Sequence, residues 1–206
     1  MHNKYRLIAI IRNVEPENAV AIVKTLLEEG IHCIEVSLSE AERGFGCLQA
    51  ICTQVEDERL HLGAGTVSTT AEVDKLIEIG IKFFVTPGFD AELADYAIRR
   101  GIEVIPGVLT PSDVQQAKNR GITLVKLFPA DAHPIGYVKS LGGPFPHMRF
   151  LAVGGVGAGN LGEYLAAGFC GVGIGGSLVP QNAGPQQLEA IRKEAARCVK
   201  AAAERG

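Results

Sequence analysis

The chain has 206 residues, 47% of them hydrophobic, with 20 basic and 23 acidic side chains for a formal charge of −3. That is enough apolar material for one sizeable core, and with no block of like charge it excludes an electrostatic footprint for nucleic acid or an anionic membrane. An anionic ligand would have to be held by local geometry rather than by a basic field.

In chain order the apolar pattern alternates between two periods. The N-terminal stretch MHNKYRLIAIIRN has an apolar run cut short by Arg12, too brief for a signal-peptide core. Residues 165–179 (LAAGFCGVGIGGSLV) form the longest weakly polar run, Gly-rich and shorter than the roughly 18 residues a spanning helix needs. A soluble, cytoplasmic protein is expected.

Strand-like runs rich in β-branched residues fall at 6–12, 33–38, 60–67, 83–87, 103–108, 123–129, 149–154 and 171–176. Between them lie segments with helical spacing, among them NAVAIVKTLLEEG, TAEVDKLIEIG, AELADYAIRRG, SDVQQAKNRG and NLGEYLAAG. Gly30, Gly80, Gly101, Gly121 and Gly168 close these helices, and Thr110 followed by Pro111 reads as an N-cap with proline at the first helical position. The last helix is predicted from about Gln186 to Glu204.

Eight strands alternating with helices, without a linker or low-complexity tract, predict a single α/β domain over residues 1–206, a (β/α)8 TIM barrel. It is compact beside the roughly 250 residues typical of the fold. A doubly wound open sheet is the alternative. The first strand lacks a GxGxxG turn, and glycines cluster instead after strands seven and eight, where such barrels often hold phosphate.

In a barrel the chemistry sits at the C-terminal ends of the strands, and the period of two sorts the inward side chains. In strand six, Leu124, Lys126 and Phe128 share one face, with Val125 and Leu127 on the other. In strand two, Cys33, Glu35 and Ser37 share a face, while Ile34, Val36 and Leu38 form the apolar face that meets the helices. Lys126 and Glu35 are therefore both expected inside. A buried, unpaired ammonium is costly, so the lysine either pairs with a carboxylate or is held partly neutral and nucleophilic. A nucleophilic lysine could attack a carbonyl, and a carboxylate within reach could shuttle protons. A structural Glu35–Lys126 ion pair fits the pattern equally well.

Further candidates surround this pair. "AVGGVGAGN" (152–160) and "GIGGS" (173–177) end their strands in paired glycines whose backbone N–H groups suit a phosphate, although tight turns alone would also use glycine. Arg12 ends strand one on the face of Ile8 and Ile10, placed either to pair with a carboxylate or simply to face solvent. Thr66, after "GAG", offers a hydroxyl or a cap. Metal chemistry is disfavoured, since His2, His32, His61, His133 and His147 show no HxH or HExxH spacing. Cys33, Cys47, Cys52, Cys170 and Cys198 are odd in number with no CxxC pair, so reduced thiols are expected.

With IEVSL (Glu35), GAGTV (Thr66), VTPG (Pro87), IPGV (Pro106), VKLFPA (Lys126, Phe128) and VGGV (Gly154, Gly155) in this order, the sequence resembles the 2-keto-3-deoxy-6-phosphogluconate aldolase family of class I aldolases. That family includes members that cleave the 6-phosphogalactonate epimer or 4-hydroxy-2-oxoglutarate, and the resemblance covers nearly the whole chain. It implies Lys126 as Schiff-base lysine and Glu35 as proton shuttle, with Thr66, Pro87 and Phe128 lining a pyruvate pocket. Gly154, Gly155, Gly176 and Ser177 would hold the phosphate. It also implies a homotrimer with neither metal nor other cofactor. The implied reaction is reversible cleavage of a phosphorylated 2-keto-3-deoxy sugar acid to pyruvate and glyceraldehyde 3-phosphate.

The sequence departs from the phosphogluconate pattern at two positions. Ser39 stands where those members carry an arginine that anchors the carboxylate, and Arg12 is placed as in the phosphogalactonate type to take that role. Val153 stands where a threonine is frequent, removing a hydroxyl that could bond the substrate, which points to galactonate-type or relaxed stereochemistry. Two other readings stay open on the sequence: a non-aldolase phosphate-binding barrel, such as an epimerase or synthase, and a non-catalytic phospho-sugar-binding barrel.

Overall fold

The structure, a computed structural model, describes residues 4–204; His2, one of the histidines weighed above as metal ligands, lies outside them. The chain runs β1 (Leu7–Ile11), α1 (Pro16–Glu28), β2 (Cys33–Ser37), α2 (Ala41–Gln54), β3 (His61–Gly65), α3 (Thr70–Ile79), β4 (Phe83–Val85) and α4 (Ala91–Arg100). It continues through β5 (Glu103–Ile105), β6 (Gly107–Val108), α5 (Pro111–Asn119), β7 (Leu124–Leu127), α6 (Tyr137–Gly142), β8 (Arg149–Val153), α7 (Leu161–Ala167), β9 (Gly171–Ile174) and α8 (Leu188–Ala203). All strand pairings are parallel, in the order β5-β4-β3-β2-β1-β9-β8-β7-β6.

The two ends of that order are one strand interrupted. The run expected as a single strand over 103–108 divides at Pro106, which has no N–H to give to a ladder. Its first half pairs with β4 (Val85 with Ile105) and its second with β7 (Gly107 with Lys126). The Pro106 carbonyl accepts from the Lys126 N–H at 2.9 Å, and the buried Thr86 hydroxyl accepts the Gly107 N–H at 3.2 Å, so the break leaves backbone groups satisfied. The closed result is the expected (β/α)8 barrel, with its fifth strand in two pieces.

Alternation along the strands builds two cores. Ala9, Ile11, Ile34, Val36, Phe84, Val125, Leu127, Phe150 and Ala152 point outward and pack with the helices. Ile8, Ile10, Cys33, Phe83, Val85, Ile105, Leu124, Leu151 and Val153 point inward and fill the barrel. Each fully buried aliphatic side chain of this kind contributes roughly 1.5–3 kcal/mol. Gly30, Gly80, Gly101, Gly121 and Gly168 all take positive φ at the helix ends, as expected. Thr110 caps α5 in a capping box with Asp113, with Pro111 at the first helical position. The final helix begins at Leu188 rather than near Gln186, because a 3-10 turn over Pro185–Gln187 precedes it.

The N-terminal end of the barrel is plugged by a ring cluster. His61 stacks on Phe83 with centroids 4.7 Å apart, Tyr5 meets Phe83 edge-on at 5.3 Å, and the Tyr5 hydroxyl donates to Glu103 at 2.7 Å. Burial, helped by Lys4 and Lys82 and opposed by Glu103, pushes the His61 imidazole down to about 4. The unfolded chain therefore binds this proton more readily, and the neutral ring's contribution to stability is lost as pH falls from about 6.5 towards about 4. Denaturant midpoints measured across that window should fall with pH in the parent and fall less in a His61→Gln variant.

Candidate active site

Lys126 lies in β7 and Glu35 in β2, with 6% and 2% of their surface exposed, so both charges sit inside the barrel as the alternation requires. The Lys126 Nζ stands 4.6 Å from the centroid of the Phe128 ring, two residues along on the same face. Among the described residues, no ion pair within 4.0 Å involves Lys126, Glu35 or Arg12. The inert salt bridge allowed by the sequence is not formed.

Both groups are driven towards their neutral forms. Burial is the main cause for Lys126, whose pKa falls below the ordinary lysine range; Glu35 opposes this and Arg12 adds to it. Burial likewise raises Glu35 above the ordinary carboxylate range, against the pull of Lys126 and Arg12. The arrangement yields a free amine and a proton-holding carboxyl at milder pH than either residue would in water.

Room for the Glu35 carboxylate comes from the neighbouring strand. A Cβ on Gly65, which is paired with Ser37 in the β2–β3 ladder, would overlap Glu35 Oε1. Thr66 follows with φ +61°, a left-handed conformation that is strained for a β-branched residue and is held by a 3.0 Å hydrogen bond between its hydroxyl and that of Ser37.

A cavity of about 650 Å³ opens at the C-terminal ends of the strands. Its walls bring together seven of the residues singled out from sequence: Arg12, Phe128, Val153, Gly154, Gly155, Gly176 and Ser177. Arg12 is exposed there, directly after β1. Lys126 and Glu35 are not in the lining; Lys126 connects to it through its contact with Phe128. Thr66 and Pro87 stand at the ends of β3 and β4, outside this cavity, and Pro87 is an exposed residue whose carbonyl packs on the α-carbon of Gly107.

The two glycine segments form one wall. Gly154 (φ +102°) and Gly155 (φ +68°) take backbone conformations that suit glycine, and a Cβ on Gly155 would also meet the Asp131 carboxylate at 2.6 Å. Tight turning is thus one reason for these glycines. A second is that the N–H groups of Gly154, Gly155, Gly176 and Ser177 donate to no protein acceptor among the described residues. Asn160 pins the segment by accepting from Gly157 N–H and donating to the Gly155 carbonyl, both at 2.8 Å, and the Ser177 hydroxyl ties it to the next loop through Val156 O at 3.1 Å.

Sequence reasoning passed over Asn13, Asn160 and Gln181 and gave Ser37 and Ser39 no part in these walls, which all five form or brace. Ser37 was legible as an inward residue on the face of Glu35. The others act from loops, where no periodicity reports direction. Among the described residues no three His, Cys, Asp or Glu side chains gather as a metal site, and no two cysteines form a disulfide. No helix of the described residues is long and apolar enough to cross a membrane.

Comparison with known proteins gives a consistent picture. The chain matches the family described as KDPG and KHG aldolase over residues 1–193. It is 34% identical over 199 residues to the 2-dehydro-3-deoxy-6-phosphogalactonate aldolase of Escherichia coli, covering 96% of this chain and 95% of that one. A solved structure described as native KDPGal superimposes with a TM-score of 0.88 at 31% identity, covering 100% of this chain and 98% of the other. The KDPG aldolase of Legionella pneumophila, solved with pyruvate captured as a covalent carbinolamine, superimposes with a TM-score of 0.81 at 27% identity, over 97% of this chain and 93% of that one.

The close fit of Glu35 against Gly65 can be tested without reference to any reaction. A Gly65→Ala substitution should cost about 1–3 kcal/mol by overpacking. Combining it with Glu35→Ala should cost less than the sum of the two single changes, read from denaturant unfolding as a double-mutant cycle.

Proposed function

The chain belongs to the KDPG and KHG aldolase family and is a lyase, and from that premise we propose that it is a class I aldolase in which Lys126 is the Schiff-base nucleophile. Its substrate in this reading is a 2-keto-3-deoxy-6-phospho sugar acid, cleaved reversibly to pyruvate and glyceraldehyde 3-phosphate. The observation that carries the proposal is the Lys126 amine, buried in a barrel strand beside Glu35 without an ion-pair partner among the described residues.

The free amine attacks the C2 carbonyl, and Glu35 gives its proton to the departing hydroxyl as the carbinolamine loses water to an iminium. Glu35, as carboxylate, takes the proton of the C4 hydroxyl. The C3–C4 bond then breaks with its electron pair moving into the iminium, leaving an enamine and the aldehyde phosphate. Glu35 returns the proton to C3, and water then adds to the iminium, releasing pyruvate, restoring the amine and giving its spare proton back to Glu35. In this reading Phe128 lines the pyruvate end, Thr66 and Pro87 stand at the neighbouring strand ends outside the cavity, and Arg12 faces the carboxylate.

The phosphate goes to Gly154, Gly155, Gly176 and Ser177, whose four N–H groups have no protein acceptor among the described residues. The carbinolamine trapped in the Legionella enzyme supports the covalent step, and the phosphogalactonate-cleaving relative, with Val153 and Arg12 here, supports the galactonate configuration. The assembly that goes with this reading is a homotrimer, expected to show by light scattering the mass of three 21.8 kDa chains.

Incubation with pyruvate and borohydride should leave a reduced three-carbon adduct that peptide mapping places on Lys126. Lys126→Met should form no adduct and lose turnover by at least about 10³-fold while unfolding near the parent's midpoint. No adduct in the parent, or retained turnover in the variant, would return the protein to the non-aldolase barrels.

A further inference from the structure

A line of side-chain hydrogen bonds runs from the end of β3 to the cavity, and its polarity can be deduced. The Ser37 hydroxyl donates to Ser39 Oγ at 3.2 Å, which uses its one hydrogen. The 3.0 Å contact with Thr66 must therefore be donated by Thr66. Ser39 donates in turn to Asn13 Oδ1 at 3.4 Å, and Asn13 Nδ2 donates to Gln181 Oε1 at 3.2 Å. Every link points the same way, from Thr66 through Ser37, Ser39 and Asn13 to Gln181.

The backbone holds the last link in place. Asn13 and Asn182 both take left-handed φ, +52° and +55°, and the Asn182 N–H donates to the Asn13 carbonyl at 2.7 Å. The loops after β1 and β9 are thereby joined beside Gln181. With its oxygen committed to Asn13, the Gln181 amide is left with Nε2, which makes no hydrogen bond among the described residues. Gln181 lines the same cavity as Arg12, Val153 and Ser177. At Val153 the wall is apolar, with nothing to bond a substrate hydroxyl.

Resting on the aldolase reading above, we propose that Gln181 is the residue that reads the configuration of the substrate's C4 hydroxyl, its Nε2 donating to that oxygen while Ser39 and Asn13 act as positioning residues that fix the amide's orientation. A site that hydrogen-bonds a hydroxyl discriminates because the wrong epimer leaves the donor unpaired.

The test compares kcat/KM on the two C4-epimeric 2-keto-3-deoxy-6-phospho sugar acids in the parent, Gln181→Leu and Ser39→Ala. The parent should prefer one epimer, and Gln181→Leu should lose about tenfold on that epimer alone, drawing the ratio towards one. Ser39→Ala, which does not touch the cavity, should move the ratio the same way by about threefold, and Ser39→Thr should restore it. Equal losses on both epimers, or a parent without preference, would overturn the assignment. Adduct formation with pyruvate, which has no hydroxyl for Gln181 to meet, keeps the readings apart: a Gln181→Leu protein that no longer forms it shows a supporting residue and overturns the assignment. Cleavage of neither epimer by the parent would instead overturn the substrate reading on which it rests.

Discussion

An amine and a carboxyl share the inside of a barrel otherwise filled with Ile8, Ile10, Val85, Ile105, Leu124 and Leu151, and most of the local architecture follows from that cost. Removing both charges from water is tolerable if they are paired at contact distance, or if each moves towards its neutral form. This protein takes the second course. Lys126 finds the face of Phe128 instead of a carboxylate, and Glu35 fills space that Gly65 vacates. A contact ion pair would have given a more ordinary interior and a protonated, unreactive lysine.

The same constraint reaches the backbone. Lys126 sits opposite Gly107 in the ladder, and its N–H bonds the carbonyl of Pro106, the residue at which the fifth strand changes partners. A proline there costs one ladder donor, and the Thr86 hydroxyl steps in to accept the neighbouring Gly107 N–H. Barrel closure and the seating of Lys126 are thus parts of one hydrogen-bond arrangement. On the far side of the barrel the Tyr5, His61 and Phe83 rings pack against one another across the bottom, opposite the strand ends that carry the cavity.

What could be read from the sequence followed the physics of strands. A period of two reports direction, so Glu35, Ser37 and Lys126 were legible as inward side chains and Val125 and Leu127 as outward ones before any coordinates. Left-handed helix ends announced themselves through Gly80, Gly101 and Gly168. The division at Pro106 was present in the sequence as a residue without an N–H, but a run of β-formers on both sides masked it. Loop side chains were a different matter. Asn13, Asn160 and Gln181 reach their places through turns with individual backbone angles, and nothing periodic connects Asn13 to a glutamine 168 positions away.

That contrast divides the work of the site. The strands set where the amine and carboxyl stand, the two groups that in the proposed reaction define what class of bond can be broken. The loops after β1, β8 and β9 supply the open N–H groups and the oriented amide, which in the same reading define what can be bound while it breaks. Changing Ser39 or Gln181 alters side chains near solvent, held by two hydrogen bonds and one respectively, at small cost to the fold, whereas changing Glu35 or Gly65 disturbs packing inside the barrel. In the proposed reaction such a barrel keeps its chemistry under strong structural constraint and leaves its choice of hydroxyl configuration to the loops, which is why the strand pattern could bring the amine and the carboxyl together while the reaction class had to come from the motifs shared with a family.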